Sequence, residues 1–314
     1  MKKVELHLHL DGSVRPTTIS ELLNIQLEDA IKQSSILNKT ESLKEYLDKF
    51  DIPLKIMQTK ENLERIAKEL AEDLLNDDVI YAEIRFAPNK HLESGLTLDK
   101  VITSILKGLS QIPIKTNLIL CMMRGDSFSK NLEIIKLAKK YLNNGVVAID
   151  LAGNEAAYPV NDYQPLFEIA KKESIPFTIH AGEADGPSSV INAIHIGAKR
   201  IGHGVRAIEN IEALNLIKEK DITLEVCPKS NLDTNMYSTL DKHPIKKLYD
   251  QKIKITLNTD NRTVSNITLN KTYKDLEETF HFTKNDFIKM NINAINCAFI
   301  TKKEKQELLE LLMK

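Results

Sequence analysis

Eight short apolar runs, rich in β-branched residues and each ending on polar ones, punctuate the chain at residues 3–9, 79–88, 115–124, 146–153, 176–182, 200–204, 222–228 and 254–260. Runs of this length bounded by turn residues read as strands. The stretches between them carry helical periodicity and helix-start signals. Thr97-Leu98-Asp99 opens one helix, and Ser129 opens another that runs to Asn143-Asn144-Gly145. Further helices are predicted from near Tyr163, Pro187, Ile208, Ser238 and Thr268. From the second strand onward the unit repeats every 25–35 residues or so, about the length of a βα unit. Several strands read as continuous apolar runs, as buried parallel strands do. Eight strands alternating with helices predict an α/β fold, a (β/α)8 TIM-type barrel.

The first unit is longer than the rest. Roughly 70 residues separate His9 from Val79, with helices predicted at 17–27, 41–48 and 59–76. This helical insertion, about 16–76, follows the first strand and so sits on the face where barrels carry out their chemistry, the place for a lid. Residues 46–57 are apolar enough to cover a ligand and equally able to pack against the barrel's helices. The length of 314 residues fits two domains or one barrel. With no repeat, low-complexity tract or linker, the chain is expected to form one hydrolase domain over 1–314.

Charge and cysteine content narrow the function. Lys and Arg number 43 against 44 Asp and Glu, for a net charge of −1, which argues against a nucleic-acid partner. No apolar run approaches the roughly 18–20 residues of a membrane span. The N-terminus, Met1-Lys2-Lys3-Val4-Glu5-Leu6-His7, lacks the apolar stretch of a signal peptide, so a cytoplasmic location is expected. Cys121, Cys227 and Cys297 are odd in number and far apart, against a disulfide framework or a cysteine-built metal site. The oligomeric state is not legible.

Barrel chemistry comes from the C-terminal ends of the strands. Those ends carry His7-x-His9, Gly153, His180-Ala181-Gly182-Glu183, Gly202-His203-Gly204 and Asn258-Thr259-Asp260-Asn261. Residues two apart on a strand face the same side, so His7 and His9 point together. Imidazole suits a borderline divalent metal such as Zn²⁺, and His180 and Asp260 supply further ligand types at other strand ends. His91, His195, His243 and His281 fall in helices or loops and read as surface or packing residues. Of only 11 glycines, six (Gly12, Gly125, Gly153, Gly182, Gly202, Gly204) lie at or just past strand ends.

The segments Glu5–Ser13 (ELHLHLDGS), Tyr81–Pro88 (YAEIRFAP), Asp150-Leu151-Ala152-Gly153, His180–Glu183, Gly202–Gly204, Glu225-Val226-Cys227-Pro228-x-Ser230-Asn231 and Asn258–Asp260 resemble, in order, the adenosine/AMP deaminase family of the metal-dependent amidohydrolase superfamily. The match runs from residue 5 to about 270. The resemblance implies one Zn²⁺ per chain, held by His7, His9, His180 and Asp260, and a zinc-activated water that attacks C6 of a purine. It implies that His203 orients that water, that Glu183 donates a proton to N1, and that Asp260 doubles as a proton acceptor. It also places His9 beside the substrate, the Gly153 N–H on N3 and Asp11 on the ribose 5′-hydroxyl, though Asp11 also reads as a turn residue before Gly12. The end of the fourth strand lacks the lysine that bridges two metals in related barrels, which favours a single ion. No C-x-x-C is present, unlike the cytidine-type zinc deaminases.

One position departs from the common pattern. Asn261 stands where many members carry a second aspartate facing N7, and an amide donates to that acceptor without titrating. The expected reaction is hydrolysis of adenosine and 2′-deoxyadenosine to inosine and 2′-deoxyinosine plus ammonia. Adenine or a modified adenine nucleoside is the alternative substrate, and a catalytically dead purine-binding module a third reading. The partner is a small purine nucleoside; Arg124, Arg206 and Arg262 read equally well as structural ion-pair partners, which disfavours a nucleotide.

Overall fold

A computed structural model describes residues 1–37 and 43–314. Eight strands form: β1 (Lys3–His9), β2 (Val79–Phe86), β3 (Lys115–Met123), β4 (Val146–Ala152), β5 (Thr178–Ala181), β6 (Arg200–His203), β7 (Thr223–Val226) and β8 (Lys254–Leu257). All pair in parallel, as two four-stranded sheets in the orders β1-β2-β3-β4 and β5-β6-β7-β8. The sheets meet at two single bridges, Ile149 with Phe177 and Leu8 with Asp260. The second seam is held by His9 N–H to the Asp260 carbonyl at 2.7 Å and Asp260 N–H to the His7 carbonyl at 3.0 Å. The eight strands thus follow one another around the barrel, and β5 stands across it from β1.

Helix ends follow local capping chemistry. Thr97 caps Leu98–Leu109 and Thr268 caps Leu269–Phe280, as predicted. The helix predicted from Ser129 starts one residue earlier, as Phe128–Tyr141, because the Ser127 hydroxyl accepts the Lys130 N–H. The one expected near Ile208 is Ile211–Glu219, capped by Asn210 and preceded by a short 3-10 turn. Near Ser238 the chain is irregular, and the next α-helix is Ile245–Asp250. A helix unforeseen from sequence, Pro228–Asp233, leaves β7 with proline at its first position.

Between β1 and β2 the helix predicted at 17–27 is two, Pro16–Leu23 and Leu27–Ser34. The first ends at Asn24 in the left-handed region, φ 52°. Of the helix predicted at 41–48, Leu43–Asp48 is described and the start lies outside the described residues. Asp51–Ile56 follows, and Lys60–Asn76 buries Leu63, Ile66, Ala67, Leu70, Ala71 and Leu74 in the main core, beside Leu98–Leu109. At the opposite end of the barrel, Val4, Leu6 and Tyr81 pack against Ala294, Ile295, Leu308 and Leu312 of the last two helices. No helix among the described residues is long and apolar enough to cross a membrane.

The four remaining histidines divide. His195 and His281 are exposed, whereas His91 and His243 are buried. Burial pushes His91 down to about 4, against its hydrogen bond to the Met57 carbonyl, and His243 to about 3. A histidine whose folded pKa lies below about 6.5 takes up its proton in the unfolded chain first. Stability is therefore lost as pH falls below about 6.5, by at most about 3 kcal/mol for His91. Thermal unfolding midpoints between pH 7 and 4 should fall less steeply in His91→Asn, whose amide donates to the same carbonyl. Equal slopes would refute this origin of the acid sensitivity.

Candidate active site

Strand alternation sets the site. On β1, Val4, Leu6 and Leu8 enter the hydrophobic cores between strands and helices, while Glu5, His7 and His9 take the other face. One nitrogen from each of His7, His9 and His180 and one Asp260 oxygen lie within 4.8 Å of one another. His7 Nε2 and His9 Nε2 each stand 3.4 Å from Asp260 Oδ1, and His9 Nε2 is 3.3 Å from His180 Nε2. His180 reaches this cluster from across the barrel.

The outer nitrogens are held by carboxylates. His7 Nδ1 lies 2.9 Å from Glu225 Oε2, and His180 Nδ1 lies 2.9 Å from Asp150 Oδ2. This leaves both Nε2 atoms facing inward, and His7 Nε2 is buried with no hydrogen-bond partner. Arg85 joins the two supports, at 2.8 Å from Asp150 and 2.8 Å from Glu225, and Arg200 bridges Glu225 and Glu83 at 2.6 Å each. Burial holds Glu5 and Glu183 toward their neutral forms. The buried carboxylates of Asp150, Glu225 and Asp260 stand against the imidazoles, an environment that favours a cation among them. Burial also lowers His9, His180 and His203, favouring the neutral rings that ligation requires, whereas at His7 burial is outweighed by the hydrogen bonds to Asp260 and Glu225, which raise it. The donor set and its outer carboxylates therefore fit a bound metal.

A cavity of about 350 Å³ opens over this cluster, within the range of small-molecule sites. His9, Asp11, Gly153, His180, Glu183, His203, Asp260 and Asn261 all line it, while His7 lies behind them. Tyr46, Leu47, Phe50, Asp51 and Leu54 also line it, whereas Ile52, Ile56 and Met57 enter the main core. Both readings of residues 46–57 hold, for different residues of the segment.

Glu183 Oε2 is 3.4 Å from His203 Nε2. Burial, then the charges of Asp260 and Glu155, push its carboxyl well above the usual range. For Asp260 burial acts upward but is outweighed by His7, His203 and His9, which carry it far below that range. His203 and Asp260 both adopt left-handed backbone, φ 60° and 62°, a strained state for non-glycine residues. At Gly202 a Cβ would sit 3.0 Å from His7 Cε1 and push the ring aside. Asp11 is buried with Oδ1 unpartnered, and burial brings its carboxyl up to about 7.

Several residues of the site carried no sequence assignment. Asn231 Nδ2 is 3.2 Å from His203 Nδ1 and 3.4 Å from Glu183 Oε1, and its Oδ1 is 3.2 Å from His243 Nε2. Glu155 accepts the Gly182, Glu183 and Asp185 N–H groups at 2.6, 3.0 and 3.1 Å, so it shapes the loop that presents Glu183. Asp150, Glu225 and Arg85 stood within the matched motifs without a role of their own, and as charges inside predicted buried strands each needed a partner. Arg206 pairs with Glu209 and Arg262 with Asp77, while Arg124 spends its Nη atoms on the Tyr158 and His180 carbonyls.

A family model described as adenosine deaminase matches residues 2–314. An adenosine deaminase of Clostridium kluyveri is 42% identical over 321 aligned residues, covering 98% of this chain and 92% of the relative. An N6-mAMP deaminase of Arabidopsis superposes with a TM-score of 0.90 at 27% identity, covering 100% of this chain and 98% of that one. An amidohydrolase of Burkholderia ambifaria, solved with bound zinc, shares the fold at a TM-score of 0.88 and 22% identity, over 100% and 92% of the two chains.

Proposed function

The chain belongs to the adenosine deaminase family and is a hydrolase that deaminates adenosine; from that premise we propose that Glu183 and Asp260 carry the proton transfers, with His203 orienting the water, on a purine nucleoside held in the lidded cavity. The observation that carries this assignment is a largely enclosed Glu183 carboxyl, 13% exposed and held toward its protonated form by its surroundings, 3.4 Å from His203, whose own shift favours the neutral ring. His7, His9, His180 and Asp260 would hold one zinc ion per chain. When bound, such an ion lowers the pKa of water toward about 7 and supplies the nucleophile.

The remaining work falls to side chains. Glu183 donates its proton to N1 of the purine, which makes C6 electrophilic. His203 accepts from Asn231 at Nδ1 and so bears its proton on Nε2; it orients the attacking water. Asp260, the stronger acid by environment and therefore ionised, accepts the water's proton and returns it to the leaving amine. One water is consumed, the C6–N bond breaks, the remaining C6 hydroxyl proton restores the Glu183 carboxyl, and the products are the 6-oxopurine nucleoside and ammonia. Gly153, at φ 101°, turns its backbone so that its N–H serves N3. Asn261 serves N7, His9 flanks the ring, and the unpartnered Asp11 oxygen takes the ribose 5′-hydroxyl.

A 5′-phosphate would meet the carboxyls of Asp11 and Asp51, with Lys90 and the already engaged Arg124 as the cavity's cations. Ammonia release should therefore be rapid with adenosine and 2′-deoxyadenosine and at least about 10²-fold slower, in kcat/KM, with AMP, a difference of roughly 3 kcal/mol. AMP as the best substrate would overturn the nucleoside reading. Activity that survives complete chelation would overturn the metal reading.

A further inference from the structure

An asparagine facing a purine acceptor raises a problem that an aspartate does not. The amide's two ends have nearly the same shape, and only one of them donates. If Asn261 presented Oδ1 instead, two lone pairs would oppose each other and N7 would be rejected. Something in the protein has to choose the orientation.

The choice is made from the lid. Tyr46, on Leu43–Asp48, is buried, and its hydroxyl lies 2.8 Å from Asn261 Nδ2, 3.2 Å from Ser265 Oγ and 3.3 Å from Ser230 Oγ. The Ser265 hydroxyl in turn bonds the carboxylate of Asp233, which forms an ion pair with Lys229. A carboxylate only accepts, so the Ser265 proton points to Asp233 and its oxygen is left to accept from Tyr46. With its single proton spent there, the Tyr46 oxygen accepts from Asn261. The polarity runs one way, from Asn261 through Tyr46 and Ser265 to Asp233. On its other side, Asn261 Oδ1 presses on the Gly12 backbone, where a Cβ would sit only 1.9 Å away. Oδ1 has no hydrogen-bond partner there, so the orientation is set on the Tyr46 side.

We infer that Tyr46 is a specificity-determining positioning residue, which fixes the Asn261 amide as a donor and makes recognition of the purine N7 depend on a seated lid. The inference rests on the proposed contact between Asn261 and N7, and it extends that contact to a residue of another segment. One Nδ2 hydrogen is committed to Tyr46; the other is left for the substrate.

Inosine and 7-deazainosine differ at position 7, and as products they report binding without chemistry. Their competitive inhibition constants should differ in the native enzyme by about three- to ten-fold in favour of inosine, the worth of one net hydrogen bond. In Tyr46→Phe the ratio should fall toward one, with kcat for adenosine changed less than KM. Ser265→Ala, which frees the Tyr46 proton without altering Tyr46 or Asn261, should lower the ratio in the same direction and guards against a Tyr46 variant that fails to fold. Asn261→Ala should abolish discrimination. A native ratio of one would overturn the Asn261 contact itself. A normal native ratio retained in both Tyr46→Phe and Ser265→Ala would overturn the role of Tyr46 alone.

Discussion

Glu183→Gln is expected to keep its metal and lose at least about 10²-fold in kcat, the range of a positioned general acid. The physical reason is local. Burial and the charges of Asp260 and Glu155 favour the protonated carboxyl, so the acid form persists from low pH up toward its raised pKa. Activity that needs this proton is present below that pKa and is lost as pH rises through it. Glutamine keeps the shape and the contact with Asn231 but has no proton to give, so the variant should also lose this alkaline limb. Metal content by elemental analysis and a pH profile of kcat are the two measurements. Normal turnover, or an unchanged alkaline limb on a slow enzyme, would refute the proton-donor role.

His9→Ala should release the metal and the activity together, with a loss of about 10³-fold or more, since a bound metal contributes several kcal/mol to such a reaction. His9 has no carboxylate support comparable to those of His7 and His180; the nearest is Asp11, 3.9 Å from its Nδ1. Its removal therefore leaves the Arg85 network standing while it opens the donor set. The buried Asp260 carboxylate then lacks the cation it would share, so the thermal midpoint should fall toward that of the chelated native enzyme. Metal analysis together with unfolding curves, each with and without chelator, decides the matter. An active variant free of metal would sink the proposed site.

How far the chain could be read in advance varies by residue. His7 and His9 were legible because a strand's period of two puts them on one face, and His180 and Asp260 because barrel chemistry sits at strand ends. Asp150, Glu225 and Arg85 were not, although they determine which way the imidazoles point. Their meaning lies in pairings between β2, β4 and β7, and no local pattern encodes which of several buried charges will meet. The same holds for the helix after β3, which was expected from Ser129 and is capped by Ser127, as the geometry of the turn decides. His243 read as a packing residue and proved to lie, through Asn231, one side chain away from His203.

By itself the sequence determined the order of strands, the barrel, the polar residues at the strand ends and the reaction family, because these follow from hydrophobic period and from motifs contiguous along the chain. Tertiary structure alone decided the polarity of the site. Which imidazole nitrogen faces inward, which carboxyl keeps its proton, and which way the Asn261 amide points all depend on desolvation and on hydrogen bonds between segments as distant as Tyr46 and Asn261. Both effects arise only when the chain closes on itself and removes these groups from water.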